Sequence, residues 1–95
     1  MDFGEAIKKV KAGYKIQREG WNGKNMYVYM TKGRTIPTDV WEVRMPSQEL
    51  TEVEKERGDV IINAHLDMMN AQGTRIIGWS ATQTDMLAID WYVVE

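Results

Sequence analysis

The chain contains no cysteine. Disulfides, thiolate chemistry and zinc sites built on sulfur are thereby excluded. A single histidine is present, His65, and no serine has a base recognisable beside it in the sequence. The arrangements needed for nucleophilic catalysis therefore lack their parts. Neither the phosphate-loop pattern nor the dinucleotide glycine fingerprint occurs. Positive charge is not in excess either: 12 lysines and arginines face 14 aspartates and glutamates, for a net charge of −2. Sequence-independent binding to DNA or RNA needs a basic face, so neither is expected as a partner. A small anionic ligand needs only a local cluster of two or three cations. The apolar runs are far too short to span a bilayer. Met1-Asp2-Phe3-Gly4-Glu5 lacks the basic stretch and apolar run of a signal peptide. With the missing cysteines, this leads to the expectation of a cytoplasmic protein with no membrane partner.

What is present is ordinary in bulk. Of 95 residues, 43% are hydrophobic and 27% charged, as in a soluble globular domain. One ligand-binding domain over residues 1–95 is expected, with 34–58 as a variable insertion. So short a chain buries roughly two-thirds of its unfolded surface, and oligomerisation would supplement its modest core.

Phe3, Ala6, Ile7 and Val10 recur at helical spacing. Asp2 is placed to cap that helix with Glu5 as its reciprocal partner, and Gly13 marks its end. Tyr14 to Arg18 reads as a strand, followed by a loop holding Gly20 and Gly23. Met26 to Thr31 reads as the next strand, with Lys32-Gly33 as a turn. In the middle segment, Val40 to Met45 is expected as a strand with Trp41, Val43 and Met45 on one face. Pro46 ends it. Ser47 is expected to cap a second helix over Gln48 to Glu56, closed by Gly58. Val60 to Met69 and Thr74 to Gly78 read as a hairpin joined by Asn70-Ala71-Gln72-Gly73. Thr82 to Ala88 reads as a short helix capped by Thr82 with Asp85, and Trp91 to Val94 as a last strand. The fold class is α+β: an N-terminal helix on a mainly antiparallel sheet, with a second helix inserted in the middle segment.

Two blocks stand out: Gly20-Trp21-Asn22-Gly23-Lys24 and Trp79-Ser80-Ala81-Thr82-Gln83-Thr84-Asp85. Each sets a tryptophan, a flat plate that stacks on a nucleobase, beside residues able to hydrogen-bond. Trp21 lies in a loop opened by glycines, where sites are common; the competing reading is an aromatic cap over the core. Arg18 and Lys24 are placed to pair with a phosphate, or else are solvated charges. The peptide N–H groups of Ala81, Thr82 and Gln83 would sit at a helix N-terminus, where anions and carbonyl oxygens bind. Gln83 and Asp85 suit the edges of a base or ribose; Asp85 equally suits a capping role. Trp91 reads as core or interface, and Trp41 as a subunit anchor or the cover of the inserted helix. Asn63, His65 and Asp67 alternate on one strand face. They are the only group with an enzymatic flavour, but two ligands without a third make no metal site, and a half-exposed polar face is the favoured reading.

These blocks resemble a small family of phage and bacterial Thoeris anti-defence proteins of the second type. The likeness runs through Phe3-Gly4-Glu5-Ala6-Ile7, Gly13-Tyr14-Lys15-Ile16 and Arg18-Glu19-Gly20-Trp21-Asn22-Gly23-Lys24. It continues in Asn63-Ala64-His65-Leu66-Asp67-Met68, Gly78-Trp79-Ser80-Ala81-Thr82-Gln83-Thr84-Asp85-Met86-Leu87-Ala88 and Asp90-Trp91. The resemblance implies a binding protein without catalysis and without a cofactor. It implies a homotetramer, a dimer of dimers, that sequesters glyco-cyclic ADP-ribose, the messenger of a TIR-domain protein. The ligand would lie between protomers, with Trp21 and Trp79 holding its adenine. Arg18 and Lys24 would then meet phosphates, and Asn22, Gln83 and Asp85 would fix base or ribose edges. Three other readings stay open: a sponge that takes cyclic di- or trinucleotides, an enzyme cleaving the messenger through His65 and Asp67, and a protein–protein inhibitor acting through the middle segment.

Overall fold

The computed structural model describes residues 1–94. In chain order its elements begin with α1 (Phe3–Lys11), β1 (Lys15–Arg18), β2 (Tyr27–Thr31), β3 (Arg34–Pro37), α2 (Thr38–Arg44) and α3 (Glu52–Arg57). They continue with β4 (Asp59–Ile62), β5 (His65–Met69), β6 (Arg75–Ile77), α4 (Gln83–Leu87) and β7 (Trp91–Val94). The fold is α+β. The chain forms two compact units: Met1–Thr31 together with the chain from His65 onward, and Lys32–Ala64.

In the first unit, α1 starts where the sequence says it should. The Asp2 side chain accepts from the Glu5 N–H, and the Glu5 side chain accepts from the Asp2 N–H. These bonds satisfy donors that a helix start leaves unpaired. Gly13, at φ 100°, takes the left-handed turn that ends it. The helix buries Ala6 and Val10 against a five-stranded antiparallel sheet ordered β6-β5-β2-β1-β7. Register places Ile16 opposite both Val28 and Val93, and Val28 opposite Met68. Because side chains alternate across a strand, Ile16, Val28, Met68 and Trp91 gather on the α1 side and form the core with Ala6 and Val10. The N-terminal amine donates to the Trp91 carbonyl at 2.7 Å and the Trp91 N–H to the Met1 carbonyl at 3.1 Å, tying the chain start to β7.

In the second unit, β3 pairs antiparallel with β4, setting Ile36 opposite Val60, both buried. Several expectations for this region are corrected. Val40 to Met45 is not a strand, because Thr38–Arg44 is helical. A strand there would need a neighbour to take its backbone groups, whereas a helix satisfies them locally. The alternation would also bury little, since Val43 is 81% exposed. The inserted helix begins at Thr51 rather than Ser47. Thr51 finds Glu54 as its reciprocal cap, while three residues after Ser47 stands Leu50, which cannot return the bond. Gly58, at φ 88°, closes α3 as expected. The middle segment thus carries two helices, pinned where the Trp41 indole N–H donates to the Gln48 carbonyl at 2.9 Å. Strand β3, with only Ile36 buried, lacked any periodic signal. The run from Val60 to Met69 is two strands, broken at Asn63-Ala64: β4 pairs with β3, and β5 pairs with β2 and β6.

Candidate functional site

Three tryptophans converge in the first unit. Trp91 is 2% exposed in the core. Trp21, from the loop between β1 and β2, meets it edge to face at 5.3 Å between centroids. Trp79, just after β6, meets Trp91 at 6.4 Å and Trp21 at 6.1 Å, also edge to face. This geometry sets the electropositive edge of one ring against the electronegative face of another. Trp21 and Trp79 are half-buried and pack against the core. Trp21 therefore packs on the core, as the core-cap reading expects, while remaining partly exposed.

Local chemistry brings the loops there. The Trp21 N–H donates to the Arg18 carbonyl, turning the chain after β1. The Glu19 N–H reaches the Asp90 carbonyl at 3.2 Å, and the Gly20 N–H reaches the Asp90 carboxylate at 2.8 Å. Any side chain at position 20 would put its Cβ 2.9 Å from that carboxylate, so glycine permits the approach. On the other side Gly78 turns at φ 79° and the Trp79 N–H donates to the Leu66 carbonyl at 2.7 Å.

At the indole N–H edge of Trp21 lies a charged cluster. Arg18 Nη1 pairs with Asp85 Oδ1 and Arg18 Nε with Asp90 Oδ1, both at 2.8 Å. Asp85 is 7% exposed. Its carboxylate also accepts from the Trp21 indole N–H at 3.2 Å and the Thr82 N–H at 3.2 Å, and its carbonyl accepts from the Trp91 indole N–H at 2.9 Å. Burial pushes the Asp85 carboxyl up, but the donors from Arg18, Trp21 and Thr82 outweigh it and hold the group below the ordinary carboxylate value. The Arg18 guanidinium likewise holds Asp90 low. The two carboxylates, Asp90 first, push Arg18 further up.

Of the residues picked out in the sequence, Arg18, Trp21, Trp79 and Asp85 come together. Asn22 and Lys24 are exposed on the Trp21 loop, Ala81 is half-buried, and Gln83 is exposed in the first turn of α4. Thr82 caps α4 with Asp85 in the expected capping box. The Thr82 N–H is consequently bonded to Asp85 and not open at the helix start. The sequence reading does not single out Asp90; its place directly before Trp91, in a block that carries the resemblance, is the available signal.

The Asn63–His65–Asp67 face differs from the polar strand surface expected. Asn63 lies in the link before β5. Asp67 is 2% exposed, accepting from the Thr31 hydroxyl and, at 2.9 Å, from the Gly78 N–H, with His65 Nε2 at 3.4 Å. Burial raises the Asp67 carboxyl, yet these donors leave it below its ordinary value. The group anchors the turn that presents Trp79. Among the described residues, no three His, Asp or Glu side chains are grouped to hold a metal ion. No helix of the described residues is long and apolar enough to cross a membrane.

Comparison with known proteins agrees with the likeness of the motif blocks. Residues 1–94 match the Tad2-like family model, the Thoeris anti-defense 2-like domain. The chain is 33% identical over 94 residues to Thoeris anti-defense 2 of Bacillus phage SP01, a match covering 99% of this chain and 94% of that protein. The middle segment falls inside both matches. With the match running through the tryptophan loops, the α4 cap and the strands that carry them, the chain belongs to the Thoeris anti-defense 2-like family, and its role is directed against Thoeris defence.

Proposed function

We propose that the protein is a non-enzymatic sponge that binds a cyclic ADP-ribose-type messenger, glyco-cyclic ADP-ribose, and so silences Thoeris signalling. The observation that carries this reading is the half-buried Trp21–Trp79 pair, 6.1 Å apart, with Trp21 hydrogen-bonded to a part-buried ionic cluster and the exposed side chains of Asn22 and Lys24 on the same loop. Each ring packs on the core and keeps part of its surface exposed, and that part is the one offered to a ligand. Stacking supplies about 1–3 kcal/mol per base, and a nanomolar complex needs about −12 kcal/mol. The remainder falls to Lys24 and to polar groups such as Asn22 and Gln83 around a phosphate-bearing ligand. A cyclic ligand is already ordered, so little entropy is lost on capture. The protein acts as a homotetramer, a dimer of dimers, in which a second copy closes the ligand against the tryptophans. It works in the host cytoplasm, where the messenger is made, and needs neither cofactor nor metal.

Calorimetric titration of glyco-cyclic ADP-ribose into the purified protein, followed by denaturation and mass analysis of the released ligand, tests the proposal. Tight binding with intact ligand supports the sponge. Recovery of a cleaved ligand replaces it with an enzyme using His65 and Asp67. Failure to bind turns the search to cyclic di- and trinucleotides, then to a protein target.

A further inference from the structure

We propose that Arg18, Asp85 and Asp90 form a positioning clamp for Trp21, and that Arg18 is not a receptor for ligand phosphate. The inference rests on Trp21 and Trp79 forming the ligand wall, and it removes a cation that the sequence alone offered to the anion.

Arg18 is 15% exposed in its side chain and directs Nε to Asp90 and Nη1 to Asp85. Each carboxylate then holds a different part of the tryptophan loop. Asp90 takes the N–H of Gly20, the residue before Trp21. Asp85 takes the indole N–H of Trp21 itself. Backbone and ring are thus fixed by one ionic group; its Asp85 carboxylate is also bonded to the α4 cap, while the Asp85 backbone carbonyl takes the core indole N–H of Trp91. A ring held at both points loses little freedom when a base stacks on it, and that raises affinity without a new contact.

The same group decides what lies beside it. One guanidinium against two carboxylates leaves a net negative charge at the indole N–H edge of Trp21. A phosphate placed there meets repulsion, whereas an uncharged base does not. The clamp orients the ligand with its base on the tryptophans and its pyrophosphate toward the exposed loop, where Lys24 stands.

The test combines NMR of the Trp21 indole N–H, assigned by its loss in Trp21→Phe, with titration of glyco-cyclic ADP-ribose at several salt concentrations. Asp90→Asn is the principal variant because Asp90 stands outside the α4 cap; Asp85→Asn is the second. Each is expected to speed exchange of the Trp21 indole proton and weaken binding by about tenfold, the scale of a lost charged hydrogen bond. Arg18→Gln is expected to release the indole proton too, while the slope of log Kd against log salt stays that of the wild type. Folded Asp90→Asn that binds as wild type overturns the clamp. So does Arg18→Gln with a shallower salt slope and a protected indole, the signature of a lost phosphate contact. Should the wild type bind no glyco-cyclic ADP-ribose, the ligand reading fails by itself. The indole then still decides the clamp: protection in the wild type and release in Asp90→Asn support it, and a wild-type indole exchanging freely overturns it.

Discussion

The indole N–H of Trp21 donates to the carboxylate of Asp85 at 3.2 Å, a contact between residues 64 positions apart. It joins the two blocks that make the chain recognisable. Through it the loop after β1 and the cap of α4 become one structure, with Arg18 bridging to Asp90. The proposed ligand wall and the stability of the fold are therefore coupled, and substitutions in one are expected to register in the other.

Trp21→Ala is expected to abolish capture of glyco-cyclic ADP-ribose and also to destabilise the protein by about 1–3 kcal/mol, because the ring's core side is lost with its open side. Urea unfolding beside calorimetry separates the effects. Lost binding at unchanged stability would contradict the core packing of Trp21; retained binding would remove it from the site.

Thr82→Ala removes the cap of α4 and is expected to cost about 1 kcal/mol, with Thr82→Ser restoring most of it. Equilibrium unfolding checks this. Because Thr82 and Asp85 bond each other reciprocally, ligand affinity is expected to fall with the cap.

Asp67→Ala leaves the Thr31 hydroxyl and the Gly78 N–H without the acceptor of their part-buried bonds. The expected loss is about 1–3 kcal/mol, with Asp67→Asn milder because it keeps an acceptor. Thermal melts of both variants would show whether Asp67 supports the Trp79 turn.

Asp67, Asp85 and Asp90 all have carboxyls held below their ordinary values by nearby donors. A carboxyl whose folded pKa is depressed stabilises the fold while ionised. Its contribution is complete above the unfolded pKa, roughly 3.9, and is lost as pH falls through the lower folded value. The melting temperature is expected to vary little with these groups between neutrality and about pH 5, then to drop steeply below about pH 4. In Asp90→Asn the acid drop should be shallower. A wild-type loss already complete above pH 5 would contradict the depressed carboxyls.

Gly33→Ala would bring a Cβ to 2.8 Å from the Ile62 carbonyl oxygen and 3.0 Å from the Ala64 nitrogen. The backbone has to shift, and a loss of about 1–3 kcal/mol is expected. Amide hydrogen exchange should show it first in the β3–β4 pair of the second unit, whose register it disturbs.

What the sequence by itself determined was local. The Asp2–Glu5 and Thr82–Asp85 caps, the ends at Gly13 and Gly58 and the loop of Asn70 to Gly73 all depend on groups within a few residues of one another. Reciprocal bonds at fixed short spacing leave a readable signature. Tertiary structure decided the partners of polar groups brought from afar. Alternation around Trp41 suited a strand, but no neighbouring strand took it and a helix formed. Asp67 was legible as one of an alternating pair, yet its burial followed from Thr31 and Gly78 arriving over it. Arg18 read as a free cation because the carboxylates that bind it stand 67 and 72 residues away. A charge shows its sign in the sequence, but only the folded chain sets what it faces, since Coulomb energy depends on distance in space and on the medium between.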